Sequence, residues 1–142
     1  DLAVRFSKCC SPVPGDEIVG FVTRGRGISI HRTDCINIIS LPEGERNRLI
    51  EAEWQNDEKK SDEKYMTEIN IYCTNRIGMF VEISKVFTER QINIVSMNSR
   101  PDKQGNATID MSFEIGGKEE LRQLTNKLRS IDGVLDIKRS MG

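Results

Sequence analysis

A chain of 142 residues, 37% of them hydrophobic, can fold as one ordinary domain or two small ones, and a charged content of 30% favours small, well-solvated modules. Its 21 basic and 22 acidic residues leave a net charge of −1, so any RNA contact must come from a local basic patch rather than from bulk attraction. No apolar run approaches a membrane span and no signal-peptide pattern is present, while the start at Asp1 without an initiator Met makes the chain read as a fragment of a longer protein.

The first landmark is Cys9-Cys10, answered after twenty residues by His31-Arg-Thr-Asp-Cys35. Three of the four cysteines and the single histidine thus fall within about a fifth of the chain. Thiolates and one imidazole are the ligand types of a tetrahedral zinc site, although the spacing differs from the common C-x2-4-C fingers. The same residues also suit small buried core positions, with His31 satisfied locally at a strand end. Adjacent Cys9 and Cys10 do not bridge easily and Cys73 lies far off in a strand pattern, so a reduced cytoplasmic setting is expected.

Around this cluster, Glu17–Thr23 and Gly27–His31 read as strands separated by a glycine-marked turn. Asp34 is expected to cap a short helix over Cys35–Leu41, closed by Pro42 and Gly44, and Leu49–Trp54 resumes as a strand. Residues 1–55 therefore predict a small β-rich module with one short helix, whose thin core a metal would help to hold. Asn56–Lys64 contains no apolar residue and predicts a linker or exposed hairpin tip.

Residues 65–142 change periodicity repeatedly. Ile69, Ile71 and Cys73 alternate as a strand, and Asn75 is placed to cap a helix marked by Ile77, Phe80, Val81, Ser84 and Phe87. An extended stretch from Ile92 to Asn98 leads into a hairpin turn at Pro101–Gly105. Ala107, Ile109, Met111, Phe113 and Ile115 then alternate with polar residues until Gly116-Gly117 ends the pattern. Leu121, Leu124, Leu128 and Ile131 mark a second amphipathic helix, and a last strand runs through Leu135 and Ile137. The order βαββαβ predicts an α+β class with a ferredoxin-like second domain.

No catalytic constellation accompanies these elements. One histidine is present without a nucleophilic grouping, and Arg24-Gly25-Arg26-Gly27 matches neither a P-loop nor a dinucleotide fingerprint. Arg5, Lys8, Arg24, Arg26 and Arg32 could form a basic edge for RNA phosphates, or could be solubilising residues interleaved with Asp16, Glu17 and Asp34. Asn75, Arg76, Ile77, Gly78 and Met79, with Asn93 and Ile94, form a second candidate set. Amide groups at a helix start suit a carboxylate, and the same residues also serve as ordinary cap and interface positions.

The stretch CCSPVPGDEIVGFVTRGRGISIHRTDCIN closely resembles the conserved-cysteine, zinc-finger-like module near the C-terminus of long RelA/SpoT-type proteins, over roughly Val4 to Trp54. These are stringent-response enzymes that make and hydrolyse guanosine tetra- and pentaphosphate. Asn75-Arg-Ile-Gly-Met-Phe-Val-Glu-Ile-Ser and Ile92-Asn-Ile-Val-Ser-Met-Asn-Ser are similar to an ACT domain, over Met66 to Arg139. The resemblance implies zinc-ligand roles for Cys9, Cys10, His31 and Cys35. It implies a non-catalytic regulatory region that contacts the ribosome and uncharged tRNA and controls N-terminal catalytic domains. An amino-acid-sensing and dimerising role for the ACT domain is the alternative, with a branched-chain amino acid as ligand and a homodimer as assembly. ACT domains usually carry Asp-Arg-x-Gly where this chain has Asn75-Arg76-Ile77-Gly78, which removes one negative charge from the ligand turn.

Overall fold

Alternating apolar residues in both halves build two four-stranded sheets, and the computed structural model describes residues 3–25, 27–55 and 63–140. In the first half, β1 (Val4–Phe6), β2 (Ile18–Thr23), β3 (Gly27–Arg32) and β4 (Leu49–Glu51) lie in the order β1-β3-β2-β4. β1 runs parallel to β3, with Arg5 opposite Ser29, and the other pairings are antiparallel. β1 is not foreseen from the sequence, because three exposed residues give no alternation to read.

The short helix α1 is Ile36–Ile39, smaller than the expected Cys35–Leu41. Cys35, not Asp34, is its N-terminal flank, because the Asp34 carboxylate is engaged by the Arg32 guanidinium at 2.6 and 2.9 Å. A 3-10 turn over Glu43–Arg48 follows where the sequence suggests only a chain reversal. Arg48 from that turn stacks on Phe21, 5.1 Å from the ring centroid, which ties the turn to β2. The linker reading at 56–64 falls mostly on residues outside those described.

The second half is β5 (Tyr65–Thr74), α2 (Met79–Glu89), β6 (Ile94–Pro101), β7 (Asn106–Ile115), α3 (Lys118–Arg129) and β8 (Val134–Arg139). The sheet order β6-β7-β5-β8 with βαββαβ connectivity is ferredoxin-like, as expected. Ile69, Ile71, Cys73, Ile109, Met111 and Phe113 point to one face, where Ile83, Phe87, Leu124 and Leu128 of the two helices cover them. Phe87 meets Phe113 edge-on, with centroids 5.0 Å apart. The hairpin at Pro101–Gly105 is closed by Asp102, whose carboxylate accepts from the amides of Gln104 and Asn106.

Helix α2 differs from expectation at its start. Gly78 is the flanking residue, at φ +86°, and no side chain caps the helix; the Asn75 amide N–H instead donates to the Gly105 carbonyl. A positive φ at this turn is what glycine supplies without strain.

The two halves are packed together rather than strung apart. Val13, from the loop between β1 and β2, is fully buried within the ferredoxin-like core. Gly15, at φ +104°, lets that loop approach α3 so closely that a Cβ there would lie 2.7 Å from Lys118 Cβ. The Pro14 carbonyl accepts from the Lys118 amide at 2.7 Å, satisfying an otherwise orphaned donor of the helix start. Arg139 donates to both carboxylate oxygens of Asp16 at 2.8 and 2.9 Å and to the Ser11 carbonyl at 2.9 Å. The side chains of this pair are 17% and 5% exposed. Asp16→Asn should therefore cost about 3 kcal/mol, since it removes the charge that compensates a largely buried guanidinium. Urea unfolding followed through Trp54 and through far-ultraviolet circular dichroism checks this, with both signals shifting together to lower denaturant.

Candidate metal centre

Three pieces of chain deliver the sulfur and nitrogen atoms. Cys9 and Cys10 lie in the turn after β1, His31 is the penultimate residue of β3, and Cys35 precedes α1. The Ser11 amide donates back to the Ser7 carbonyl at 3.1 Å, and Ser11 adopts φ +47°, which folds the adjacent cysteines into a knuckle. Antiparallel pairing of β2 with β3 places His31 opposite Val19, and the Cys35 amide donates to the Arg32 carbonyl to close the second knuckle.

These four residues offer ligand atoms that all lie within 4.8 Å of one another. Cys9 Sγ is 3.4 Å from Cys35 Sγ and 3.5 Å from His31 Nδ1, and Cys10 Sγ is 4.0 Å from His31 Nδ1. A tetrahedron built on Zn–S bonds of about 2.3 Å has edges of roughly 3.8 Å. The spacing thus matches a tetrahedral ion, and the three-thiol, one-imidazole set suits zinc. His31 Nε2 is hydrogen-bonded to the Ser29 hydroxyl at 2.9 Å, which holds the ring with Nδ1 turned toward the sulfurs; a metal at Nδ1 would require the tautomer protonated on Nε2, whose N–H this hydroxyl can accept. Divergence of adjacent side chains does not prevent the site, because the turn at Ser11 brings both Sγ atoms inward.

The electrostatics of the metal-free site are uneven. Burial pushes the Cys10 thiol up to about 12 and also raises Cys35. Burial acts in the same direction on Cys9, but hydrogen bonds from Ser7, Asn37 and the neighbouring thiols outweigh it and lower that thiol. Burial lowers His31 and so favours the neutral imidazole a metal requires. Cys73 is buried in the other domain and takes no part.

The knuckle is braced from outside by residues that carry no sulfur. The Arg32 amide donates to Cys10 Sγ at 3.3 Å, and its guanidinium donates to the Cys10 carbonyl and to the Ser140 carbonyl. The Ser140 hydroxyl donates to the Cys9 carbonyl at 3.1 Å. Arg32 is only 6% exposed, so its side chain is committed to this brace and is not presented to a nucleic acid. Asp16, Arg139 and Ser140 are the residues sequence reading misses, because no local pattern announces a partner more than a hundred positions away.

The other candidate residues divide. Arg5, Lys8 and Arg24 are exposed, with Arg24 in a weak 3.5 Å pair with Glu45, while Arg26 lies outside the described residues. β1, which carries Arg5, is an edge strand with Lys8 just after it, whereas Arg24 lies in the turn between β2 and β3 and reaches Glu45 of the 3-10 turn, which packs on β2 and β4. In the second domain, Asn75, Arg76, Gly78 and Met79 line a cavity of only about 100 Å3. Arg76 is already held by Glu82 and by the Asp132 carbonyl, and Ile77 points away at 99% exposure. Asn93 and Ile94 are not brought to this turn: Ile94 pairs with Phe113, whereas the part of β6 beside the cavity is Ser99, paired with Ile109. Five residues of extended strand, about 16 Å, separate the two. The proposed amino-acid subsite is therefore not assembled within one chain.

Comparison with known proteins agrees with this architecture. The chain belongs to the ACT-domain family, whose profile matches residues 61–139. Residues 1–55 match the RelA/SpoT RIS domain, so the chain is a RIS–ACT pair of the RelA/SpoT type, and neither match is to a catalytic domain. The GTP pyrophosphokinase of Streptomyces coelicolor is 34% identical over 98% of this chain, which spans 16% of that protein. That of Escherichia coli is 35% identical over 100% of the chain, spanning 19% of its length. The chain thus covers less than a fifth of these relatives. Among solved structures, the ACT domain from the GTP pyrophosphokinase of Chlorobium tepidum is similar to 54% of this chain, over 99% of its own, at 25% identity and a TM-score of 0.49.

Because Cys10 and Cys35 are protonated when metal-free, zinc uptake must expel protons, and affinity should rise with pH and fall on acidification. Protein purified without chelator should carry about one zinc per chain. Elemental analysis across a pH series checks both statements, and Cys35→Ser or His31→Ala should each lower the retained metal at every pH.

Proposed function

We propose that this RIS–ACT pair is the regulatory region of a longer (p)ppGpp synthetase or hydrolase, and that it reports translational state to N-terminal catalytic domains. In this reading the cysteine knuckle takes zinc as a structural crosslink. Arg5, Lys8 and Arg24, together with Arg26, meet ribosomal RNA or uncharged tRNA through phosphate contacts. The observation that carries the reading is the direct brace between the two domains at the knuckle. A contact made on the first sheet would be passed to the ACT domain through the hydrogen bonds of Arg32, Ser140 and Arg139.

Support for RNA comes from the cations themselves. Arg5 on the edge strand, Lys8 just after it and Arg24 in the β2–β3 turn are exposed, and exposed side chains can meet phosphates without disturbing a core. Arg32 is excluded from that contact and acts as a positioning residue. A homodimer through the ACT domain is the second reading, favoured by β6 standing at the sheet edge and by the exposure of Ile77, Phe80 and Val81 on and before the first turn of α2. In a dimer, Asn93 and Ile94 of one subunit could approach the Gly78 turn of the other, which one chain does not allow.

The test is ribosome association of the full-length parent carrying Arg5→Ala, Lys8→Ala and Arg24→Ala together. Affinity should fall and the slope of log affinity against log salt should become shallower by up to about 3, with thermal stability nearly unchanged. Arg32→Ala should behave oppositely in the second respect, lowering stability and zinc retention. Unchanged affinity and slope in the triple variant would remove RNA from the reading.

A further inference from the structure

Within the knuckle, one pair of sulfurs lies closer together than a metal requires. Cys9 Sγ and Cys35 Sγ are 3.4 Å apart, against the edge of roughly 3.8 Å expected of a tetrahedral zinc thiolate. The backbone that carries them is held without any ion. The Cys9 carbonyl accepts from the Ser140 hydroxyl, and the Cys35 amide donates to the Arg32 carbonyl at 3.1 Å. Ser7 Oγ, 2.8 Å from Cys9 Sγ, steadies that sulfur from the other side. A disulfide sets its sulfurs about 2.05 Å apart, so the pair has about 1.4 Å to close, a distance that side-chain rotation covers.

The four cysteines differ in what they can do with an oxidant. Cys9 is half-buried and open to small molecules, whereas Cys10 and Cys35 are 1% and 0% exposed. A thiol that solvent reaches, with a second thiol poised beside it, is the arrangement of an oxidisable cysteine and its resolving partner. Cys10 does not compete for Cys9, because adjacent residues bridge poorly, and its sulfur already accepts from the Arg32 amide at 3.3 Å. Cys73 lies in the ACT core apart from the other three, its thiol donating to the Ala107 carbonyl at 3.5 Å. It is a built-in control.

We infer that Cys9 is a peroxide-reactive thiol and Cys35 its resolving partner, so that the metal-free knuckle closes into a Cys9–Cys35 disulfide. In the first step the Cys9 sulfur bonds to one oxygen of hydrogen peroxide and the O–O bond breaks. The thiol proton leaves with the departing oxygen as water, and Cys9 becomes a sulfenic acid. In the second step the Cys35 sulfur bonds to the Cys9 sulfur and the S–O bond breaks, the hydroxide leaving as water with the Cys35 proton. Two thiols are oxidised and one peroxide is reduced. An ion held by all four residues would occupy both sulfurs, so metal and disulfide exclude one another. Where thiols are otherwise kept reduced, such a bond is transient and serves as a sensor. The inference rests on the sulfur geometry and stands apart from any contact with RNA.

The test is to treat the 142-residue chain, stripped of metal by chelator, with stoichiometric hydrogen peroxide, then to alkylate in denaturant and map peptides by mass spectrometry. The expected product is a Cys9–Cys35 link, with Cys10 and Cys73 still alkylated, and a dithiol should reverse it. The same treatment in urea should lose this selectivity. Cys35→Ser should lose the link and leave on Cys9 a sulfenic acid that dimedone traps, and Cys9→Ser should lose both. Because such variants can fail to fold, the unsubstituted chain is decisive by itself. Zinc added before the peroxide should slow the link. A link that joins Cys10 to Cys35 or one chain to another, a pattern unchanged by urea, or a link that zinc does not slow overturns the inference.

Discussion

The carboxylate of Asp16 is the constraint on which the rest of the molecule depends. It accepts the Val13 amide at 2.9 Å while its own amide donates to the Val13 carbonyl at 3.0 Å, so the Pro-Val-Pro-Gly-Asp loop is closed on itself. The same carboxylate takes both terminal nitrogens of Arg139, and the Asp16 carbonyl takes the Trp54 indole N–H at 3.1 Å. One residue thereby fixes the loop, the last strand of the ACT domain and the end of the RIS module. Among the described residues Arg139 Nε is buried without a partner, which is tolerable only while the two outer nitrogens are fully compensated. Buried ion pairs of this kind define a geometry more than they add stability.

That geometry matters for the knuckle. Cys9 and Cys10 precede the loop by only a few residues, and their carbonyls are claimed by Ser140 and Arg32. A metal at the knuckle would therefore draw on the same stretch of backbone as the interdomain contact. Holding the loop pre-forms two ligands, and holding the ligands pre-forms the loop, which is the thermodynamic meaning of coupling between the two. The small first core of Cys10, Cys35 and Ile38 is too thin to do this alone.

Periodicity made the ACT half legible. Its strands and helices follow from alternation at Ile69–Cys73 and Ala107–Ile115 and from helical spacing at Leu121–Leu128, because each element buries one face against one core. The four candidate metal ligands were legible through residue type alone. Their tetrahedral closeness was not, since it comes from the positive φ at Ser11 and from strand register. The helix starts differ from the sequence reading at Asp34 because Arg32 engages its carboxylate, and at Asn75 because α2 begins only at Met79, after the positive-φ turn at Gly78. Arg32 looked like a surface cation because nothing in a sequence shows that Ser140 will lie beside it.

Val13 carries a consequence for where this protein can be divided. Family profiles change over between residues 55 and 61, yet a side chain from position 13 is part of the core that follows. An ACT domain excised at that boundary would carry a vacancy the size of an isopropyl group and the unpaired guanidinium of Arg139. Recombination there, in the laboratory or in evolution, would join halves that had each lost a piece of their interior. In this chain the loop Pro12–Asp16, not the change of profile, is the seam along which the two halves are joined.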